Sequence, residues 1–271
     1  MEGFIDTLNG VIWSNALVYL CLGAGAYFTL ATLFLQIRCL PDMIRQLKSG
    51  ESSEQGISSF QSLMISLAGR VGVGNIAGVA TAIAFGGPGA VFWMWLVALL
   101  GSATSFIECC LAQIYKETDR DTGEYRGGPA YYIEKAYKHT SAAPFMLVYA
   151  IIFAVCMLLA TSYFLPGIQA NGVAAAVDNA WGINIWVSAT IMTVLLAFII
   201  IGGIKRIANF ASMVVPFMAG IYIIIAIVVL FVNASQIPEV FGTIVRAAFD
   251  KEAAFSGMLG AAIMWGVKRG I

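Results

Sequence analysis

Residues 66–89 read SLAGRVGVGNIAGVATAIAFGGPG, and their residue types could hold two kinds of ligand. Gly69, Gly72, Gly74 and Gly78 fall within ten residues, beside Arg70 and Asn75. Glycine tolerates non-helical backbone angles, so this crowding predicts a helix broken in the middle of an apolar run. A break frees backbone groups. The N–H groups that open the second half form its positive end and attract a carboxylate. The carbonyls that close the first half form a negative end and can ligate a cation. A hard cation such as Na⁺ prefers oxygen ligands, and Asn75 offers one more. The spacing Gly72-x-Gly74-x-x-x-Gly78 is one residue too long for a dinucleotide fingerprint and has no strand before it. Gly74 and Gly78 also fit a small-xxx-small helix-packing pair. That accounts for two glycines and leaves Gly69, Gly72, Asn75 and the arginine without a reason.

The elements that must position this segment follow from composition. Hydrophobic residues make up 60% of the chain and charged residues 11%, far below the roughly 25% charged of soluble domains. Apolar runs lie at about 11–37, 58–86, 89–115, 145–177, 185–203, 210–232 and 254–267, several of them near the ~20 residues that cross a bilayer. The chain therefore reads as an all-α polytopic membrane protein. In hydrocarbon, irregular backbone survives only where it lines a protein cavity or a bound ion, which makes the glycine segment a candidate midplane site.

Charge gives the segments a direction. Segments 38–50, 116–138 and 204–206 carry ten Lys and Arg, whereas 1–10, 87–88, 178–184 and 233–253 carry only Arg246 and Lys251. Basic residues are retained on the cytoplasmic side, so the N-terminus is expected outside and the helices alternate without conflict. Glu2 and Asp6 with no nearby Lys or Arg argue against a cleaved signal peptide. Gly86-Gly87-Pro88-Gly89 predicts a tight hairpin turn, and the amphipathic stretch AYYIEKAY predicts an interfacial helix within 116–138. Pro166-Gly167 predicts a kink. The fourth helix either continues to about 177, carrying Gln169 and Asn171 into the membrane, or ends near Leu165 with both in an outer loop.

Arg70 and Glu108 are ionisable residues inside apolar runs. An unpaired arginine at a helix centre costs about 2.5–3.5 kcal/mol on insertion scales. Two readings are open: Arg70 and Glu108 form a gating pair, or Glu108 snorkels to the cytoplasmic end of its helix. Five cysteines without CxxC spacing and a single loop histidine, His139, offer no transition-metal site. Enzyme motifs such as GxSxG and nucleic-acid features are absent, and no organic cofactor is expected.

Five strings carry a resemblance: RVGVGNIAGVATAIAFGGPGAVFWMW, GEYRGGPAYYIEK, GGIKRIANF, VVPFMAG and GAAIMWGVKRG, in order from about residue 58 to the end. Together they resemble the alanine/glycine:cation symporter family (sodium:alanine symporters). The resemblance implies a leucine-transporter-like inverted-repeat fold, of which this chain holds the first half plus the start of the sixth core helix. Residues 1–271 then form one transmembrane domain, truncated: 11–37 an extra N-terminal helix, 58–232 the first five core helices, and 254–271 the start of the sixth. The ending within an apolar run, after Lys268-Arg269-Gly270-Ile271, suggests a fragment of a longer protein.

The resemblance also implies residue roles. Gly72 and the backbone N–H groups of Val73 and Gly74 hold the substrate carboxylate, with Asn75 at the polar break. The carbonyls near Ala68 and Val71 face sodium together with Asn75. Gln169 reaches the substrate from the third core helix. Trp265 and Gly266 line the pocket, the indole limiting it to small side chains. Val73 departs from the family pattern, which has threonine there. The implied activity is Na⁺-coupled symport of alanine or glycine across the cell membrane by alternating access, with H⁺ left open as the coupling ion. The alternative is a non-transporting truncated membrane fragment or assembly partner.

Overall fold

The computed structural model describes residues 3, 10, 14–49, 57–121, 123–249 and 258–270. Nearly all of them are helical, because an apolar segment must satisfy its own backbone groups. The first helices are α1 (Asn15–Ala31), α2 (Leu35–Arg38) and α3 (Leu40–Ser49). The glycine-rich run forms α4 (Ser59–Arg70) and α5 (Val73–Gly86), and α6 (Gly89–Ile114) follows the turn at Gly87, whose φ is +71°. Strands β1 (Glu117–Thr118) and β2 (Tyr125–Arg126) pair antiparallel, Glu117 opposite Arg126. Then come α7 (Pro129–Ala136), α8 (Ala143–Leu159), a π-helical turn at Ala160–Phe164, α9 (Leu165–Trp181), α10 (Ile185–Ile200), α11 (Gly203–Val232), α12 (Ile237–Phe249) and α13 (Met258–Gly270).

Among the described residues, four stretches are long and apolar enough to cross a membrane: Ser59–Gly86, Gly89–Ile114, Ala143–Trp181 and Gly203–Val232. Ala16–Ala31 and Ile185–Ile200 are shorter apolar helices, and the seventh expected run contributes the 13 residues of α13. Residues 11–13 and 254–257 lie outside the described residues.

The chain divides into two compact units. One comprises Met1–Ile44, Ile76–Ile107 and Ile224–Ile271. Its buried residues are mostly small: Ala82, Ala90, Ala103, Ala248 and Ala262, with Val97 and Val267. Small residues let backbones approach closely, and Gly266 shows it: a Cβ there would lie 2.5 Å from the Ala90 carbonyl oxygen. The other unit comprises Arg45–Asn75 and Glu108–Ile223. Met64 of α4 packs on Ala211 and Val215 of α11, flanked by Leu63, Ile65 and Leu67.

Several expected boundaries differ. The helix expected over 11–37 is interrupted after Ala31, where Leu33 and Phe34 take positive φ values of 53° and the Thr32 hydroxyl donates to the Phe28 carbonyl, 2.7 Å. A side-chain bond of this kind competes with the helical ladder. The expected 204–206 loop is helical: Gly203, at φ +73°, starts α11, and the Arg206 guanidinium stacks 4.2 Å over the Phe198 ring. The helix expected around AYYIEKAY forms as α7, and the unanticipated element of 116–138 is the hairpin β1–β2 before it. Arg126 pairs with Asp119 across the hairpin, and Lys135 of α7 pairs with Glu117 of β1 at 2.7 Å, so these pairs close the hairpin and tie α7 to it. The expected outer loop 233–253 contains the amphipathic α12, whose Phe249 packs edge-on to Phe92, ring centroids 4.9 Å apart.

Pro166 does not end its helix. Ala143–Trp181 is continuous over 39 residues, and the irregularity falls one turn upstream, at Ala160–Phe164. There the Leu165 amide donates to the Ala160 carbonyl, five residues back. A proline lacks an N–H and its ring crowds the carbonyl four residues earlier. The π turn absorbs that conflict by shifting register. Gln169 and Asn171 are therefore helical, on α9.

Candidate functional site

The glycine segment breaks as its sequence predicts. Ser58 and Gln61 form a reciprocal capping box that starts α4. The helix runs to Arg70, and Val71 turns extended, φ −98° and ψ 91°. Helix α5 begins two residues later, at Val73. The Val71 amide still donates to the Leu67 carbonyl, 2.8 Å. Among the described residues, no backbone amide donates to the carbonyls of Ala68 or Val71. These are the free oxygens that a helix C-terminus leaves over, and both belong to residues expected to face a cation.

At the opening of α5 the Asn75 amide donates to the Gly72 carbonyl, 3.1 Å. The Val73 amide donates to Oε1 of Gln169, 3.0 Å. Thus the structure joins two expected site residues that are 96 positions apart in the chain. Gln169 Oε1 occupies the donor that the resemblance assigns to a substrate carboxylate. Among the described residues the Gly74 amide has no partner, and a Cβ at Gly74 would meet nothing within 4 Å. The Asn75 side chain also makes no hydrogen bond among the described residues and is exposed. The arrangement sets the Val73 amide, held by Gln169 of α9, the Gly74 amide and the Asn75 carboxamide at three consecutive positions.

Close approach is what makes this contact fit. A Cβ on Gly72 would lie 2.9 Å from Nε2 of Gln169, and a Cβ on Gly172 would lie 2.7 Å from a methyl of Val73. Gly172, one turn beyond Gln169, was not singled out by the sequence reading. A glycine three positions after a polar residue in an apolar helix is the signal that could have found it.

Arg70 closes α4 and is exposed. Glu108, on α6, lies close to α7. Burial, then the Glu108 charge, then Tyr149 push the Tyr132 hydroxyl above its ordinary pKa. Trp265 and Gly266 belong to α13 in the other unit. The Trp265 ring stacks on Phe85, centroids 5.1 Å apart and planes 20° apart, and Gly266 seats against Ala90 and Trp93. There too the Arg269 guanidinium lies over Gly78, 3.4 Å from where its Cβ would stand.

The sodium:alanine symporter family model matches residues 1–271. The chain is 51% identical over 271 residues to a protein of Bacillus subtilis (strain 168) named, provisionally, a sodium/proton-dependent alanine carrier; the match covers 100% of this chain and 54% of that one. It is 44% identical over 273 residues to another protein of that strain named, provisionally, a sodium/glutamine symporter, covering 100% and 55%. It is 40% identical over 270 residues to the sodium/alanine symporter of Methanococcus maripaludis, covering 98% and 59%. The chain spans about half the length of the curated relatives it matches.

Proposed function

Because the chain belongs to the sodium:alanine symporter family, we propose that it moves a small neutral amino acid, alanine or glycine, across the cell membrane together with Na⁺. It is a multi-pass membrane protein of a transporter family, not an enzyme. The observation that carries the proposal is the break between α4 and α5, with the Val73 amide held by Gln169 at 3.0 Å.

The two ends of the break have opposite polarity. The carbonyls of Ala68 and Val71, with the Asn75 carboxamide, take the cation. The amides of Val73 and Gly74 take the substrate carboxylate, and Gln169 turns its amide to the bound amino acid. Opposite unit charges about 4 Å apart attract by about 4 kcal/mol at an effective dielectric constant near 20. A coupling of 1 to 3 kcal/mol, about 5- to 150-fold in affinity, is enough for each solute to recruit the other. That reciprocity is what a symporter needs. With it we propose a leucine-transporter-like fold with the N-terminus outside and a site that opens to each side in turn, with Trp265 and Gly266 limiting the cargo to small side chains.

Arg70 and Glu108 are proposed as the inner gate, on the ground that both sit in apolar helices; unchanged uptake and ion dependence in Arg70→Ala would dismiss the gate. The relatives' names, all carriers or symporters, favour transport over a non-transporting assembly partner.

The direct test reconstitutes the intact protein in proteoliposomes and follows labelled alanine. An inward Na⁺ gradient should accelerate uptake over a choline control, and an H⁺ gradient alone should not. Uptake indifferent to every cation gradient rejects symport.

A further inference from the structure

We infer that Gly172 is a positioning residue of this site, acting through Val73; the inference rests on the reading that the α4–α5 break binds the transported amino acid. Gln169 and Gly172 lie three residues apart on α9, a spacing that puts both on one face. Gln169 accepts the Val73 amide at 3.0 Å. Gly172 faces the same residue: a Cβ there would stand 2.7 and 2.9 Å from the two Val73 methyls. The reciprocal notch is Gly72, whose Cβ would stand 2.9 Å from the Gln169 nitrogen. Each segment therefore supplies one glycine and one side chain that fills the other's gap.

Valine cannot swing out of this notch cheaply, because branching at Cβ leaves χ1 few choices. A methyl added at Gly172 must then displace the Val73 backbone. That displacement lengthens the bond to Gln169 and turns the Val73 and Gly74 amides away from the direction in which they meet a carboxylate. Other glycines nearby do not share the constraint. Gly167, on the same helix, and Gly74 would each place a Cβ in open space. Helix propensity alone predicts the opposite sign, since alanine is a better helix former than glycine.

The test is a size exchange in the intact protein. In proteoliposomes, Gly172→Ala should raise KM for alanine about tenfold, the loss expected for one hydrogen bond to a charged group, with a smaller change in kcat. Gly167→Ala should leave KM unchanged. Adding Val73→Ala to Gly172→Ala should bring KM back to within about threefold of Val73→Ala alone, because the removed methyls make room for the new one. Hydrogen exchange of the Val73 amide, read in detergent without transport, should quicken in Gly172→Ala and slow again in the double variant. If Gly172→Ala fails to fold, recovery of folded protein by Val73→Ala supports the interlock, and failure to recover overturns it. A KM unmoved by Gly172→Ala overturns the inference, as does a double variant that regains thermal stability while KM stays high. Should the parent show no cation-dependent uptake, the transport reading falls. The exchange rate at Val73 then decides the interlock by itself, and an unchanged rate overturns it.

Discussion

The α4–α5 pair and the α8–α9 pair are both interrupted inside an apolar stretch, and they resolve the interruption in opposite ways. At Val71 and Gly72 the chain leaves the helix, so carbonyls and amides face outward on either side. At Ala160–Phe164 the chain stays helical and shifts to a five-residue bond, so the Leu165 amide keeps a partner in the Ala160 carbonyl. The difference lies in how much bonding each sequence withholds. Proline removes one donor, and a single π turn makes room for that. Four glycines within ten residues weaken the helix over several positions at once. Gln169 then offers the Val73 amide a better acceptor than the preceding turn does. One interruption leaves backbone groups without helical partners, and the other preserves a long helix that holds Gln169 against Val73.

The comparison can be broken most severely at Gln169. Gln169→Leu keeps volume but removes the acceptor of the Val73 amide. Alanine uptake at subsaturating substrate should fall at least about tenfold, since the carboxamide that turns to the bound amino acid, a hydrogen bond to a charged group, is lost. Uptake near the parent level would mean the break holds its shape without α9. A middle effect is expected at Asn75. Asn75→Ala removes a carboxamide that makes no internal hydrogen bond, so the fold should survive. The Na⁺ concentration for half-maximal uptake should rise about fivefold, the loss of one neutral oxygen ligand worth about 1 kcal/mol. An unaltered Na⁺ dependence would remove Asn75 from the cation side. The smallest effect is expected at Pro166. Pro166→Ala restores an N–H, lets the π turn relax, and should leave uptake within about twofold, because the turn serves continuity rather than binding. If that variant instead abolishes transport, the π turn is itself part of the moving machinery and the contrast fails.

Much of this was legible in the chain. The glycine crowding placed a break within Gly69–Gly78, and it falls at Val71 and Gly72, because the physics there is local: Gly72 and Gly74 withhold Cβ atoms and Asn75 competes for backbone. Gln169 was legible only through resemblance, because its role depends on a contact 96 positions away. Hydropathy missed the hairpin β1–β2, whose order comes from Arg126–Asp119 and Lys135–Glu117 pairs rather than from apolar periodicity. It also placed a loop at Lys205 and Arg206, since two charges look like water exposure; Phe198 gives the arginine an aromatic face instead. Gly172 was hidden for the simplest reason, that a notch is defined by what fills it.

Gln61 ties the start of α4 to more than its own cap. Its carbonyl oxygen accepts the Ser58 amide at 3.0 Å, while its nitrogen donates to Asn209 of α11 at 2.8 Å. One carboxamide thus serves as both the lock of a helix end and the rivet to a neighbour. Any swing of the first half-helix must either drag α11 along or shear that rivet and fray its own first turn. A displacement of that half-helix would thereby be handed to the helix whose Pro216 already interrupts its bonding.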